Sequence, residues 1–480
     1  MGNWQGILSQ GQIITFLSLV IFFLIPFQRR FHGFFDSLSR RLTLPDVSLP
    51  DFFSRKIHLF FSDFIVIILA LYLLFVCKER LRNFFWEGPS KYLTLLFFVL
   101  FVSTTVSISK SYSLQYLRLI QFSLSFLFFN SLRCSCVKLN FSRIVYKVAW
   151  LFICLAFFEC AVGIAQYFTQ DSVGLKFLGE KSPKTFPFVN PGHSLWFFGS
   201  KQEAAFLYRV SGTFLHPNIL GGFLFCCILA TYYLFFLTKS KVKRVCLAGM
   251  VFLQFFTLYL SFSRAALLAI AFSTLLWFGL QWNKSRKSGS FKIIAGVIFC
   301  SACLGVYALY PQLSARGGIF NLNTNSLGAD TERVMYMKVA SQMIQEHPFL
   351  GVGYNNFQIH AHRFQDQFPN NRLHSKVHNI YLLIGSEAGL IGGGIFLLFL
   401  CSLLRASWRG ISKSISDEEF QAKAFLLSLF LGFLLIGGCD FYFLETPQGS
   451  IPFFGIAGLL GGINAQFFQI NKKFSLRGIS

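Results

Sequence analysis

Long apolar runs separated by short basic segments set the pattern of this chain. A helix crossing the ~30 Å hydrocarbon core needs roughly 20 mostly apolar residues, somewhat fewer when polar ends reach back to the interface. Twelve stretches satisfy that length: about 11–27, 58–77, 92–108, 114–132, 146–168, 217–237, 245–262, 265–282, 292–310, 379–404, 422–438 and 450–467. The run 245–282 is divided because a single helix there would extend about 57 Å at 1.5 Å per residue. We read it as two spans hinged at Ser263-Arg264. The pattern changes after the ninth span. Asp330 or Thr331 is placed to cap a helix whose apolar positions follow at Val334, Met337, Ala340, Ser341 and Ile344, ended by Pro348. A turn-rich segment, Gly351-Val352-Gly353-Tyr354-Asn355-Asn356, follows.

Composition makes the membrane reading compulsory. Apolar residues are 54% and charged residues 13% of the 480, about half the usual charged share, and the mean hydropathy is +0.56. No soluble fold hides that much apolar surface. Disorder, a collagen helix, a coiled coil, a small disulfide scaffold and a soluble nucleic-acid binder are excluded, the last despite a net charge of +23. The expected fold class is an all-α polytopic membrane protein of about 12 transmembrane helices with a large external loop. We divide it into N-terminal helices with a basic 28–57 loop (1–160), a core with external loops 169–216 and 311–377 (161–405), and C-terminal helices with a cytoplasmic tail (406–480).

Charge sets the orientation. Segments 78–91, 133–147, 239–244, 284–292 and 405–423 and the tail are rich in Lys and Arg and alternate correctly as cytoplasmic, whereas 439–449 has neither and falls outside. The basic segment 28–57 falls outside by alternation and breaks the rule. No cleavable signal peptide is evident. The cysteines, mostly within apolar runs, read as small hydrophobes.

In this topology all nine histidines lie on the external side. Arg209, Arg264, Arg333 and Lys376 lie there too, near span ends. A cationic external cavity suits a phosphate or pyrophosphate. His378-Asn379 opens the tenth span. On an unbroken helix, Gly385, Gly389 and Gly392 lie within about 40° of the His378 face and form a stripe that admits another helix. Glu387 points to the opposite face, towards a neighbouring element. His360, His362, His374 and His378 offer a zinc alternative, but no acidic or Cys ligand has matching spacing. We expect no metal and no cofactor.

Four stretches carry a resemblance. They are R-V-S-G-T-F-L-H-P-N (Arg209 to Asn218), S-F-S-R-A-A-L-L (Ser261 to Leu268), E-R-V-M-Y-M-K-V-A-S-Q-M-I-Q-E-H-P-F-L-G-V-G-Y-N-N-F (Glu332 to Phe357) and H-N-I-Y-L-L-I-G-S-E-A-G-L-I-G (His378 to Gly392). Gln166 adds to them. In order and spacing they resemble the O-antigen ligase and O-antigen polymerase superfamily of bacterial membrane glycosyltransferases, over about 160–400. The fourth stretch fits the ligase pattern of His, Asn, nine residues, Gly, two residues, Gly.

The resemblance implies a glycosyltransferase class C-like fold in the bacterial inner membrane, with its active site facing the periplasm. It implies a donor glycan on undecaprenyl pyrophosphate and an acceptor hydroxyl on the lipid A core or on a growing glycan. It implies no nucleic-acid partner; membrane lipids surround the chain. His378 is then the general base. Arg209, Arg264 and Arg333 bind pyrophosphate. Asn379, Gly385, Gly389, Gly392, Gly351 and Gly353 shape the site, and His216-Pro217-Asn218 caps the sixth span or contacts sugar. Ligase is the leading reading and polymerase the alternative. A protein O-oligosaccharyltransferase and a polysaccharide transporter come after, the transporter because no paired halves are visible.

Overall fold

The structure, a computed structural model, describes residues 9–27, 60–107, 112–189, 206–285, 289–315, 327–368, 373 and 375–477. The basic segment 28–57 and residues His32, His58, His193 and His374 lie outside the described residues. In chain order the helices are α1 (Gln10–Phe23), α2 (Phe61–Leu71), α3 (Leu81–Trp86), α4 (Ser90–Thr105), α5 (Tyr112–Lys138) and α6 (Phe141–Thr169). Then come α7 (Pro217–Leu237), α8 (Lys241–Leu260), α9 (Arg264–Ser285), α10 (Gly289–Ala315), α11 (Leu327–Glu346) and α12 (Phe357–Ala361). The last are α13 (Ile380–Ser412), α14 (Asp417–Gly437), α15 (Tyr442–Glu445) and α16 (Pro447–Arg477). A three-residue antiparallel pair, β1 (Pro187–Val189) with β2 (Phe206–Tyr208), is the exception among the described residues.

A helix falls on each of the twelve apolar stretches. Among the described residues, seven helices are long and apolar enough to cross a membrane: α6, α7, α8, α9, α10, α13 and α14. Helices α1 and α4 have 14 and 16 residues, so they reach only about 21–24 Å at 1.5 Å per residue. Helix α5 has the length, but Gln115, Arg118, Gln121, Asn130 and Arg133 interrupt its apolar character. The division of the 245–282 run holds: α8 ends at Leu260, the chain turns through Ser261–Ser263, and α9 begins at Arg264.

The chain forms two compact units. The second comprises residues 145–332 and 415–436. Its centre is α7, whose apolar window is 94% buried, which is why that helix is apolar all round. Gly432 on α14 has no space for a side chain: an added Cβ would lie 2.2 Å from Phe225 Cζ. Tyr233 stacks on Phe425 with ring centroids 5.1 Å apart. Buried amides would be costly here unless paired, and Gln281 and Gln421 exchange hydrogen bonds of 2.6 and 2.9 Å.

The first unit comprises residues 1–144, 333–414 and 437–480. Small residues let α16 lie against α5. A Cβ on Gly458 would sit 2.6 Å from the Phe129 carbonyl oxygen, and one on Gly462 would sit 2.4 Å from Cys136 Cβ. Helix α11 starts at Leu327, so Asp330 and Thr331 are its fourth and fifth residues and not at its cap position. Of the apolar positions read along it, Ala340 lies in the core and Val334 and Met337 do not. Met335, Tyr336, Val339, Ala340 and Met343 are buried with Phe357, Phe364 and Val377, whereas Val334 and Met337 are exposed.

Candidate functional site

The site in the first unit begins with a broken helix. Gly389 has φ +68° and ψ −173°, so α13 is two helices joined at that residue. A break deep in an apolar helix frees backbone groups that the surroundings must satisfy. The turn after α11 does this. Leu390 N donates to Pro348 O at 2.7 Å, Val352 N to Ser386 O at 2.9 Å and Gly353 N to Glu387 O at 3.1 Å. Ser103 on α4 donates from Oγ to Leu350 O at 2.7 Å or to Glu387 O at 2.8 Å.

The glycines now have individual reasons. A Cβ on Gly389 would lie 2.1 Å from Phe349 O, and one on Gly351 (φ +66°) would lie 2.5 Å from Ser386 O. Gly353 (φ +102°) has Ser107 Oγ at 2.5 Å from the same position. Gly385 faces Ile344 on α11, and Gly392 lies near Val99 on α4. The expected single stripe against one helix is therefore corrected. The projection at 100° per residue assumes a continuous helix, and Gly389 ends that continuity. Behind the turn, buried Asn356 donates to Ser107 Oγ at 2.5 Å and accepts from Gln115 Nε2 at 2.6 Å.

His378 stands just before α13 with its side chain 28% exposed. Asn379 supplies the cap: its Oδ1 accepts from Tyr381 N at 2.9 Å and Leu382 N at 3.0 Å, satisfying two of the helix's free donors. Its Nδ2 donates to Gly438 O at 3.1 Å. His378 Nδ1 lies 3.5 Å from Asp440 Oδ1, and its ring lies 5.0 Å from that of Phe441. The separation is that of an ion pair and longer than a hydrogen bond. A carboxylate at Nδ1 favours the tautomer that leaves Nε2 as proton acceptor.

Lys376 is buried among carboxylates. Its Nζ lies 2.6 Å from Glu445 Oε1 and 3.6 Å from Glu387 Oε1, and it donates to Asn355 Oδ1 at 2.7 Å. Arg118 meets the other oxygen of Glu445 at 3.2 Å. Burial alone would raise the Glu445 carboxyl, but the charges of Lys376 and Arg118 outweigh it and hold it below the usual range. Lys376 is thus neutralised within the protein and does not join the cationic rim expected for it. Glu387 meets a neighbouring element as its helical position implied: it also accepts from Phe357 N at 3.2 Å. Arg333, half-buried on α11, makes no ion pair with a described residue.

In the second unit the first two motif stretches are joined to each other. Helix α8 ends with unpaired carbonyls. Arg209 Nε donates to Ser261 O at 2.9 Å, and Val210 N donates to Leu260 O at 3.4 Å. Arg209 Nη2 also donates to Asn218 Oδ1 at 2.6 Å, and the side chain is buried. Arg264, half-buried, opens α9 immediately after that turn. His216 caps α7, accepting at Nδ1 from Asn218 N at 3.1 Å with Pro217 in the first turn; the capping alternative therefore describes it.

Helix α6 grips the same segment. Gln166 Oε1 accepts from Gly212 N at 2.9 Å, and its Nε2 donates to Gly212 O at 2.9 Å. Glu159 accepts from Thr213 N at 2.9 Å and Thr213 Oγ1 at 2.6 Å. Glu180 accepts from Gln166, Val173 N, Ser172 and Leu175 N, and these bonds outweigh burial to hold its carboxyl low.

The structure therefore brings His378, Asn379 and the glycines together in the first unit, with Arg333 in that unit as well, and places Arg209 and Arg264 in the second. Sequence reasoning missed Asp440, Glu445, Arg118 and Glu159. Glu159 carried a signal, being an ionisable residue within an apolar run. Asp440 and Glu445 are the acidic residues of the external 439–449 connection, which had been read for orientation alone.

Residues 249–397 match the model of a protein family described as O-Antigen ligase. The matched range takes in the Ser261–Leu268, Glu332–Phe357 and His378–Gly392 stretches and leaves out Arg209–Asn218. The resemblance to the O-antigen ligase superfamily is upheld over that range. No curated protein matches the chain.

Proposed function

From the O-antigen ligase match, whose members are glycosyltransferase-like enzymes, we propose that this chain transfers a glycan from undecaprenyl pyrophosphate to an acceptor hydroxyl at the periplasmic face of the bacterial inner membrane. The observation that supports it most is the His378–Asp440 pair. A half-buried imidazole beside a buried carboxylate is a general base with an orienting partner. Apo geometry at such pairs is commonly loose and tightens with substrate.

In this reading His378 Nε2 takes the acceptor proton as the hydroxyl oxygen bonds to the anomeric carbon. The bond from that carbon to the pyrophosphate oxygen breaks, and its electron pair leaves with undecaprenyl pyrophosphate. Attack opposite the leaving group inverts the anomeric centre. Asp440 stabilises the imidazolium that forms. Arg264 and Arg333 are assigned to the pyrophosphate because guanidinium stays charged and offers two donors at once. Arg209 joins them by its charge, and it steadies the turn that presents Arg264. The break at Gly389 and the 348–353 turn fix the helix start behind His378. Twelve spans would complete the membrane domain, α1, α2, α4, α5 and α16 adding to the seven.

The ligase pattern at His378 to Gly392 favours lipid A core as acceptor, with chain polymerisation as the second reading. Purified protein in detergent, given donor extracted as undecaprenyl-pyrophosphate glycan together with core lipid, is expected to yield glycosylated core. A transporter yields none, since no gradient exists there. Absence of product from folded protein with either core lipid or a second donor molecule as acceptor would overturn the proposal.

A further inference from the structure

Two short segments, 376–379 and 438–445, are joined by three contacts in reverse order. Lys376 Nζ donates to Glu445 Oε1 at 2.6 Å. His378 Nδ1 lies 3.5 Å from Asp440 Oδ1. Asn379 Nδ2 donates to Gly438 O at 3.1 Å. The proposed base and its carboxylate form the middle contact, and the outer two brace it.

The Asn379 brace is already anchored by the α13 cap. The Lys376 brace is anchored by burial: the side chains of Lys376 and Glu445 are 4% and 8% exposed. An ammonium has three donors and no acceptor. Asn355, Glu445 and Glu387 surround this one, which leaves it poorly suited to a pyrophosphate. A buried ion pair recovers little net stability after desolvation, and its best-attested use is to fix register.

We propose that Lys376 is a positioning residue whose pairing with Glu445 holds segment 376–379 in register against 438–445 and so sets the His378–Asp440 separation. The proposal rests on the glycan-transfer reading. A misplacement of about 1 Å in a reacting constellation costs on the order of 100-fold in rate.

Lys376→Met alone leaves buried Glu387 without a cation and Glu445 with Arg118 only, and risks unfolding. The informative variant is Lys376→Met/Glu387→Gln/Glu445→Gln, which removes the three buried charges together and leaves Arg118, whose side chain is 33% exposed, to solvent. Glu445→Gln, which leaves Glu387 to balance Lys376, is the second variant. Both are purified in detergent and assayed with undecaprenyl-pyrophosphate glycan and core lipid. Expected are a kcat reduced about 10- to 100-fold for the triple variant and about tenfold for Glu445→Gln, with donor KM within about twofold. Lys376→Arg is expected to keep most of kcat. In an Asp440→Asn background the triple change should cost less than about twofold more, because the alignment it disturbs is already gone.

Wild-type kcat in either variant overturns the proposal. So does a raised donor KM with kcat kept, the mark of a phosphate ligand, or a full additional loss in the Asp440→Asn background. Retained transfer by His378→Ala would instead refute the parent reading, whatever Lys376 does.

Discussion

His360 and Glu445 show how single titrating groups tie this fold to pH. His360 is buried and lies with its ring centroid 6.4 Å from that of His347. Burial first, then the positive charges of Arg363 and His347, push it from 6.5 down to about 4. The unfolded chain therefore binds more protons between those values. Neutral His360 contributes its full stability above about pH 6.5, and that contribution is lost as pH falls towards about 4. Thermal unfolding in detergent should show a steeper loss over that window for the wild type than for His360→Leu. Glu445 is also held below its unfolded value. Its contribution is full above the ordinary carboxylate range, near about 4.3, and is lost as pH falls through the lower folded value. Glu445→Gln should flatten the unfolding curve below about pH 4.5. A slope identical to wild type would show that neither charge supports Glu445.

At the scale of an element, α13 is the instructive case. The pattern of apolar residues located the helix, and its N-terminal signals placed His378 and Asn379 at its start. The break was not legible. Gly389 is one of several glycines in the run, and its distinction comes from Phe349 and Leu350, which occupy the space a side chain would fill. The exposed Gly394 has nothing within 4 Å of the same position. Gly389→Ala should therefore destabilise by about 3 kcal/mol or more, combining backbone strain in a glycine-only region with the clash. Gly394→Ala should be neutral or stabilising by up to about 1 kcal/mol, since alanine is the better helix former. Equal melting temperatures for the two would refute the inserted turn. Helix α11 repeats the lesson on a smaller scale. Val334 and Met337 fit a helical period, yet packing under Phe357 and Phe364 selected the adjacent face.

On the scale of the whole molecule, apolar run length located all seven described helices that are long and apolar enough to cross a membrane, because the bilayer sets a minimum length for a crossing; α11, of 20 residues, showed only through its helical period. The motif stretches were legible too, being local. The partners of His378 and Lys376 were not. Asp440 and Glu445 follow an entire further helix, α14, and nothing in their own surroundings marks them. One unit joins the Arg209–Asn218 and Ser261–Leu268 stretches, and the other joins the 348–353 turn to the His378–Gly392 stretch.

The central claim is that His378 drives glycan transfer from a lipid carrier, and one comparison tests it directly. Cells producing wild-type or His378→Ala protein at equal levels are assayed for glycan on the outer-membrane lipid core and on undecaprenyl pyrophosphate. The account predicts bare core in the mutant, with long chains stranded on the carrier. Core capped by a single repeat, with no long chains in either pool, would move the assignment to the polymerase branch. Both pools unchanged, with the mutant protein present, would contradict the account.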